Sequence, residues 1–489
     1  MTATRRDILK ALGLGLAAGP SVLASACRKT PAESRPPNIV LIFIDDMGYG
    51  DLGCFGAQGY ETPRIDRLAA EGTRLTDFYV SQAVCGASRA SLLTGCYAER
   101  VGYRGAPGPA SKIGLNLDEE TIAEVLKTRG YATAIFGKWH LGCVPDFYPT
   151  RQGFDEYLGL LYSNDMWHYE YDGTLLETGW KSQHPPLMLM RNEEPVVEIK
   201  SLEDQSTLTE RYTREALRFI DENKDRPFFL YLPHSMVHTP VAASPEFRCQ
   251  SGHSPYADAV MELDASTGRI MDRLARHGLD ANTIVIFTSD NGPWLNFGPY
   301  AGSSGPLREG KGTMFEGGPR VPFIIRWPGQ IPAGRVTSEI ASTIDLLPTL
   351  AGWAGAPSPR LPIDGLDLGP FFEGRSDRSP RDSFFYYYGH ELRAVRKGRW
   401  KLIFPHKSRS YLGVEPRRDG LPGPYAQITT GLELYDLVED LGETRDVAAA
   451  HAEVVAELRE LAETAREELG DALTDRKGKG EREPGRLPE

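Results

Sequence analysis

The segment Asn38–Ile44 constrains the fold more than any other part of the chain. It reads Asn-Ile-Val-Leu-Ile-Phe-Ile, so an extended strand here is apolar on both faces. Such a strand is typical of a parallel sheet that helices cover on both sides. Two acidic residues, Asp45 and Asp46, follow it directly. The segment therefore predicts an α/β fold with polar chemistry at a strand end.

The same order of helix, apolar strand and polar cluster recurs along the chain. The predicted helices are 118–128, 207–223 and 256–277, and the predicted strands that follow them are 131–136, 227–232 and 283–288. Helices that alternate with apolar strands predict a large, mostly parallel sheet sandwiched by helices. Ligands bind outside the C-terminal ends of such strands, so we expect the polar clusters to converge on one site.

The clusters contain oxygen ligands for a hard metal ion. These are Asp45, Asp46, Asp290 and Asn291. No imidazole or thiolate belongs to this set, which suits Ca²⁺ or Mg²⁺ better than Zn²⁺. An Asx turn that caps the next segment is the alternative interpretation of Asp45 and Asp46.

Other side chains, in these clusters and elsewhere in the chain, suit the binding of an oxyanion and the transfer of protons. The cations are Arg89, Lys138 and Lys311, and the histidines are His140 and His238, with His234 as a competitor for His238. Cations bind a tetrahedral oxyanion, and histidines move protons near neutral pH. Together with a metal ion and a nucleophile, they indicate hydrolysis of a sulfate or phosphate ester.

The stretch from Val84 to Gly95 is the best candidate for the nucleophile. It is predicted to be a short loop that enters a helix, with Ser88 as a cap and Gly95 as the stop. Cys85 would lie beside the helix N-terminus with Arg89 nearby, which predicts a lowered thiol pKa. A thiolate nucleophile and a buried structural cysteine are both compatible with this pattern.

The pattern Cys-x-Ala-Ser-Arg-x-x-Leu-x-Thr-Gly resembles the signature of the sulfatase family, in the alkaline phosphatase superfamily. Most members have Pro where this chain has Ala87. The resemblance extends over residues 37–448. Four further segments resemble family motifs, namely 45–53, 137–142, 288–292 and 310–318. The resemblance implies that a formylglycine-generating enzyme oxidises Cys85 to formylglycine, whose hydrated aldehyde is the nucleophile.

The resemblance also implies a role for each site residue. Ca²⁺, or alternatively Mg²⁺, would be bound by Asp45, Asp46, Asp290, Asn291 and the formylglycine from Cys85. The catalytic and substrate-binding residues would be Arg89 and Lys138, which hold the hydrated aldehyde, His140 as the base, Ser163 as a sulfate ligand, and His238 and Lys311, which bind sulfate and protonate the leaving alcohol. A sulfated glycan or a sulfated small molecule is the expected substrate.

The N-terminal residues resemble a twin-arginine export signal. Arg5 and Arg6 precede a short apolar stretch that ends in Ala-Ser-Ala-Cys at Cys27. This predicts a signal over 1–27, a linker over 28–37, and an exported bacterial protein. The protein would be periplasmic, or anchored to the cell envelope through a lipid on Cys27. The formal net charge of −12 argues against a nucleic-acid partner.

The remaining chain is predicted to form two structured parts. Residues 38–375 form the catalytic domain, and 376–474 form a smaller antiparallel sheet with a helix over 450–469. Residues 475–489 are charged and are expected to be disordered. No disulfide is predicted among the remaining cysteines, and a homo-oligomer is compatible with this organisation.

Three alternatives to a glycan sulfatase stay open on the sequence. The chain could hydrolyse aryl sulfates, or act as a phosphomonoesterase or phosphodiesterase of the same superfamily, or bind glycans at the cell surface without catalysis. Trp167, His168 and Tyr169 could form a wall that stacks on a sugar, or they could be core aromatics.

Overall fold

The computed structural model describes residues 35–179 and 181–487. The twin-arginine motif and Cys27 therefore lie outside the described residues. From Pro36 onward the chain forms one compact unit. No helix in the described ranges is both long and apolar enough to cross a membrane.

The described part of the chain contains twenty strands and nine α-helices. The strands are β1 (Asn38–Ile44), β2 (Thr73–Leu75), β3 (Phe78–Tyr79), β4 (Ile113–Gly114), β5 (Ala132–Phe136), β6 (Glu156–Leu160), β7 (Leu187–Arg191), β8 (Glu194–Ile199), β9 (Phe228–Pro233), β10 (Thr283–Ser289), β11 (Phe323–Arg326), β12 (Arg335–Thr337), β13 (Ala341–Ser342), β14 (Ser383–Tyr388), β15 (Glu391–Lys397), β16 (Trp400–Ile403), β17 (Lys407–Ser410), β18 (Ala426–Thr429), β19 (Glu433–Asp436) and β20 (Gly485–Arg486). The helices are α1 (Pro63–Ala70), α2 (Cys85–Thr94), α3 (Ile122–Lys127), α4 (Leu202–Gln205), α5 (Leu208–Asn223), α6 (Pro255–Arg276), α7 (Leu346–Ala354), α8 (Gly369–Phe372) and α9 (Ala452–Leu469).

Ten strands form the large sheet, in the order β12-β2-β11-β10-β1-β9-β5-β6-β7-β8. The five central strands, from β10 to β6, are parallel to one another. Antiparallel pairs join β11 on one side and β7 on the other. Every residue of β1 is buried, because strands flank it and helices cover the sheet. The predicted α/β class is confirmed, and each of the four predicted strands is present.

The helices that cover the sheet follow ordinary start signals. Helix α3 begins with a capping box, in which Thr121 and Glu124 satisfy each other's backbone N–H groups. Helix α6 begins with Ser254 as the cap and Pro255 in the first turn. Helices α1, α5 and α6 pack together, as do α2, α3 and α7, and helices of both groups contact strands of the large sheet.

The C-terminal part contains the predicted antiparallel sheet, in the order β14-β15-β16-β19. Helix α9 packs on β15 and β16, close to the predicted bounds of 450–469. A separate two-stranded ribbon of β17 and β18 was not predicted. Each strand has only four residues, and β17 is entirely polar, so the sequence lacks a run of alternating apolar and polar residues long enough to mark a half-buried strand.

A buried polar cluster joins the C-terminal sheet to the rest of the unit. The carboxylate of Glu316 accepts hydrogen bonds from Tyr79 (2.6 Å), Tyr386 (2.8 Å) and Lys401 (3.0 Å). Lys401 also pairs with Glu443 at 2.8 Å. These charged groups are almost fully buried, so removing one partner would leave another charge without compensation. The predicted boundary at 375/376 separates two sheets that are tied together by this cluster.

The prediction that residues 475–489 are disordered is wrong for the described residues up to 487. Strand β20 pairs with β4, and the guanidinium of Arg482 donates two hydrogen bonds to Glu119, at 2.6 and 2.8 Å. The composition is charged and poor in apolar residues, which is typical of disorder. Here the charges find buried partners elsewhere in the chain, which composition does not reveal.

The described cysteines are free thiols. They are Cys54, Cys85, Cys96, Cys143 and Cys249.

Trp167 is fully buried and lies 4.8 Å from Tyr169 between ring centroids, so it belongs to the core and does not form a sugar-binding wall.

Replacing Arg482 tests whether the C-terminal segment is part of the fold. Arg482→Ala should lower the free energy of unfolding by about 3 kcal/mol, because it leaves the buried Glu119 carboxylate unpaired. Lys479→Ala is the matched control, since the Lys479–Glu467 pair is exposed to solvent and contributes little to stability. Urea unfolding followed by circular dichroism measures both. Equal stability of the two variants would restore the prediction of a disordered tail.

Candidate active site

The five central parallel strands bring the predicted site residues to one edge of the large sheet. In strand order from β10 to β6, the residues that follow the strand ends are Asp290 and Asn291, Asp45 and Asp46, His238, Lys138 and His140, and Ser163. Ile44 is paired with Ser289, so Asp45 and Asp290 continue side by side. Convergence at the strand ends therefore follows from parallel pairing and its register.

Close packing of the backbone at this edge requires glycine before Lys138. Gly137 has a φ of 140°, and a Cβ on it would lie 1.8 Å from the carbonyl oxygen of Pro233. Only glycine lets β5 and β9 come this close. Lys138 is thereby directed into the site, where it is fully buried.

Helix α2 supplies Cys85 and Arg89, but it begins earlier than the sequence predicted. Cys85 is its first residue, and Ser88 does not cap it: the Ser88 hydroxyl has no hydrogen-bond partner in the described ranges. Gly95 ends the helix in the left-handed conformation, as predicted.

The predicted lowering of the Cys85 pKa is wrong in this structure. The side chain is 2% exposed, and burial raises the pKa of the thiol well above its usual range. The charges of Lys138 and Lys311 act in the opposite direction but do not outweigh desolvation. A thiolate nucleophile is therefore disfavoured, and the thiol remains within 3.5 Å of Asp45 Oδ1.

Three buried carboxylates are each paired with one buried cation. Lys138 Nζ lies 2.6 Å from Asp45, Lys311 Nζ lies 2.8 Å from Asp46, and Arg89 Nη2 lies 2.7 Å from Asp290. Burial opposes ionisation of Asp45, but the charges of Lys138, His238 and Arg89 hold its pKa well below the ordinary value. Likewise, burial opposes the charge of Lys311, and Asp46 raises its pKa well above the ordinary value. Asp45 and Lys311 are therefore charged at neutral pH.

Asp290 has a raised pKa, and Asn291 has a side-chain oxygen without a hydrogen-bond partner in the described residues. Burial and the neighbouring Asp45 raise the pKa of Asp290 to about 7, despite the charge of Arg89. Asn291 donates a hydrogen bond from Nδ2 to Asp46 Oδ1 at 2.7 Å, while its Oδ1 is buried and has no partner within the described residues. An orphaned amide oxygen beside buried carboxylates is the donor set that a hard cation requires.

The ligating atoms also have the span of a metal site. Atoms of Asp45, Asp46, Cys85 and His238 lie within 4.8 Å of one another. This group includes His238, which the sequence did not count as a ligand, and omits Asp290, whose carboxylate is engaged by Arg89 and by the Asp46 N–H at 3.1 Å. The residues with oxygen donors are the better candidates for metal ligands, because Ca²⁺ and Mg²⁺ prefer oxygen to imidazole.

His140 is oriented as a proton acceptor. Its Nε2 lies 3.2 Å from the carbonyl oxygen of Pro107, which can only accept, so Nε2 carries the proton. The other nitrogen, Nδ1, is buried and without a partner in the described part of the chain. Burial and the nearby charges of Lys138 and Arg89 hold the His140 pKa well below its ordinary value. A free, unprotonated ring nitrogen is what a general base requires.

His238 rather than His234 reaches the site. His238 Nε2 lies 3.4 Å from the hydroxyl of Ser163 and 3.6 Å from Asp46, while Nδ1 donates to the carbonyl oxygen of Thr239 at 2.6 Å. Ser163 in turn accepts a hydrogen bond from Lys138 at 3.1 Å. His234 is equally buried, and its described ring contact is with Tyr212.

Two features of the site were missed from the sequence. Asp46 and His140 both have a φ of 60°, an unfavourable conformation for non-glycine residues that occurs often at functional sites. Trp294 follows the Asp290-Asn291 pair closely and packs on His238, with 5.5 Å between ring centroids. The sequence signal that could have identified Trp294 as a site residue is its position in a loop, three residues after Asn291.

Comparison with known proteins identifies the family. A family model described as Sulfatase matches residues 37–356, more than half of the chain. The chain belongs to the sulfatase family. A second model, described as N-sulphoglucosamine sulphohydrolase, C-terminal, matches residues 310–468. The predicted membership is confirmed, and the chain is a sulfuric ester hydrolase of the alkaline phosphatase superfamily.

Similar proteins match along nearly their full length. Human arylsulfatase A is 43% identical over 459 residues, with 88% of each chain covered. N-acetylgalactosamine-6-sulfatase of Sus scrofa is 38% identical over 485 residues, covering 93% of this chain and 87% of that protein. A solved structure of Ps i-CgsB in complex with k-i-k-neocarrahexaose has a TM-score of 0.72 at 30% identity, covering 88% of this chain and 93% of that one.

Proposed function

We propose that this sulfatase cleaves sulfate monoesters of a carbohydrate, with a formylglycine at position 85 and a bound Ca²⁺. The observation that carries the proposal is the buried set of three carboxylates, three cations and Cys85 at the end of the parallel strands. Each buried charge costs several kcal/mol to desolvate, and at this site the charges surround Cys85 at the strand ends where ligands bind in such sheets.

Asp45, Asp46, Asp290 and Asn291 would hold the metal ion, together with the modified side chain at position 85. Three of these residues are acidic, and Asn291 has an oxygen without a partner among the described residues. The ion would supply positive charge against the sulfate oxygens. Mg²⁺ fits the same donor types but demands a stricter octahedral geometry, so Ca²⁺ is the proposed ion.

The chemistry of a formylglycine explains why a cysteine occupies position 85. When hydrated, this group supplies one hydroxyl that bonds to sulfur as the alcohol leaves, and a second that lets sulfate depart as the aldehyde re-forms. His140 accepts a proton at Nδ1, the ring nitrogen that is free of hydrogen bonds in the described chain. Arg89 and Lys138 hold the nucleophile through their positive charge.

The opposite side of the sulfate would be bound by Ser163, His238 and Lys311. Lys311 is a permanent donor, whereas neutral His238 presents a lone pair at Nε2, because Nδ1 donates to Thr239. His238 therefore gives a proton to the leaving oxygen only when it carries a second proton. The negative charge of a bound sulfate ester favours that form.

A sulfated carbohydrate is preferred to an aryl sulfate as substrate. Two of the similar proteins support this by name: N-acetylgalactosamine-6-sulfatase, and Ps i-CgsB in complex with k-i-k-neocarrahexaose. The similarity to arylsulfatase A supports hydrolysis of small aryl sulfates as the second candidate. A proton donor near the leaving oxygen favours the first, because a sugar alkoxide needs protonation and an aryl oxide hardly does.

Export and maturation complete the proposal. The twin-arginine motif supports transport of the folded protein to the periplasm or to a lipid anchor at Cys27. Before this transport, and before folding buries Cys85, a formylglycine-generating enzyme would act on that residue in the cytoplasm. A homo-oligomer remains compatible with these assignments.

The metal assignment is tested by Asp290→Asn, which keeps the shape of the side chain but removes its charge. We expect loss of bound Ca²⁺, measured by elemental analysis, and at least about 100-fold lower turnover with the circular dichroism unchanged. Asp77→Asn is the matched control, because Asp77 is a buried carboxylate paired with Arg320 away from the site. Unchanged metal content in Asp290→Asn would exclude Asp290 as a ligand.

The modification is tested by peptide mass spectrometry across residues 83–89, on protein made with a formylglycine-generating enzyme. We expect an aldehyde at position 85, and Cys85→Ser should fold but lose turnover, since its sulfate ester has no second hydroxyl. A free thiol in fully active enzyme would refute the mechanism. A free thiol in inactive enzyme would point to Ala87, and Ala87→Pro should then restore conversion. That variant loses the hydrogen bond from the Ala87 N–H to Gly105, 2.8 Å long.

The role of His238 is tested with two leaving groups. His238→Ala should lower kcat on a sugar sulfate at least about 10-fold more than on 4-nitrophenyl sulfate, since only the sugar oxygen needs a proton. His234→Ala, a change of an equally buried histidine, should affect both substrates equally. Equal losses in His238→Ala would assign the proton to Lys311.

A further inference from the structure

The access side of the site can be read from the exposure of its residues. Lys311 is 8% exposed, whereas Asp45, Cys85 and Lys138 are 0–2% exposed. A substrate whose sulfate reaches the buried Cys85 would therefore extend outward on the Lys311 side.

Aromatic side chains form the rim on that side. Lys311 Nζ lies 4.6 Å from the ring centroid of Trp294, and Trp294 donates a hydrogen bond from Nε1 to the hydroxyl of Tyr425. Tyr411 lies 5.4 Å from Tyr425 between ring centroids and donates a hydrogen bond to the carbonyl oxygen of Lys311 at 2.6 Å. The loop between β17 and β18 thus contacts Lys311 directly, through Tyr411.

Arg409, on β17, is the charged residue of this rim. Its guanidinium carbon lies 4.9 Å from the ring centroid of Tyr425. It also lies against Gly312, the residue after Lys311: a Cβ added to Gly312 would be 2.9 Å from that carbon. The φ of 80° at Gly312 and this close approach together require glycine.

Arg409 has no carboxylate within ion-pair distance in the described part of the chain. The side chain is half-buried, and the nearby Glu391 already pairs with another arginine, Arg393, at 2.9 Å. Burial and the charge of Arg409 both lower the pKa of Arg393. A half-buried guanidinium without a counter-charge is costly unless an anion from outside completes it. Its planar fork matches a carboxylate or a sulfate.

We propose that Arg409 binds a second anionic group of the substrate, a carboxylate or a second sulfate, while Trp294 and Tyr425 contact the sugar between the two anions. This inference rests on the proposed function and narrows it to sugars that carry two anionic groups. Arg409 is thus a residue that determines specificity. It contributes nothing to the cleavage of a substrate with one sulfate and no other charge.

Binding to the inactive Cys85→Ala protein tests the inference without requiring modification or turnover. Calorimetry would compare three ligands: a hexosamine 6-sulfate, the same sugar with a second sulfate, and the same sugar linked to a uronic acid. Adding Arg409→Ala should weaken binding of one or both dianionic ligands at least about 10-fold and leave the monosulfate within about 2-fold. The ligand that loses affinity identifies the second group as sulfate or carboxylate. Arg409→Lys should lose less, because it keeps the charge without the fork.

The matched control is Arg459→Ala, which removes an exposed arginine of α9 that also lacks an ion pair in the described residues. Arg459→Ala should leave the affinity for each of the three ligands unchanged. Unchanged binding of both dianionic ligands in Arg409→Ala, or equal weakening of all three ligands, would overturn the inference and leave the proposed function intact. Failure of the Cys85→Ala protein to bind any of the three sugars would overturn both.

Discussion

The site depends on a balance of buried charge. Asp45, Asp46 and Asp290 meet at the ends of two neighbouring strands, where carboxylates repel one another and lose their hydration. Lys138, Lys311 and Arg89 enter from three other segments and pair with them one to one. The side chains of the site therefore balance one another's charge without a ligand. The surrounding sheet and helices hold these six side chains in place against their cost of desolvation.

Much of this arrangement could be predicted, because parallel strands leave a strong signal. A strand such as Asn38–Ile44, buried on both faces, has few alternatives, and the pairing of neighbouring parallel strands brings their C-terminal ends together. The convergence of Asp45, Lys138, His238 and Asp290 follows from that rule alone. Cys85 and Lys311 do not follow a strand end, so the chemistry of their side chains and the resemblance to the family, and not this rule, included them in the site.

The errors have a common physical origin in burial by distant residues. A helix N-terminus lowers the pKa of a thiol in water, but Cys85 is 2% exposed, and desolvation dominates. Residues 475–487 look solvated, yet Arg482 reaches the buried Glu119. Strand β17, which contains Arg409, has no apolar residue that would indicate burial, and its side chains contact Glu309 and Gly312, which lie far away in the sequence. Local patterns do not report which partners arrive from elsewhere in the chain.

The pairing of β20 with β4 has a consequence for the order of events during synthesis. Residues 113–114 complete their contacts only with residues 485–486, so the neighbouring segment cannot reach its final packing until nearly the whole chain has left the ribosome. That neighbouring segment includes Gly105, whose carbonyl oxygen binds the first turn of α2, and Pro107, which orients His140. The packing around Cys85 would therefore be completed only when the last strand pairs with β4, late in synthesis.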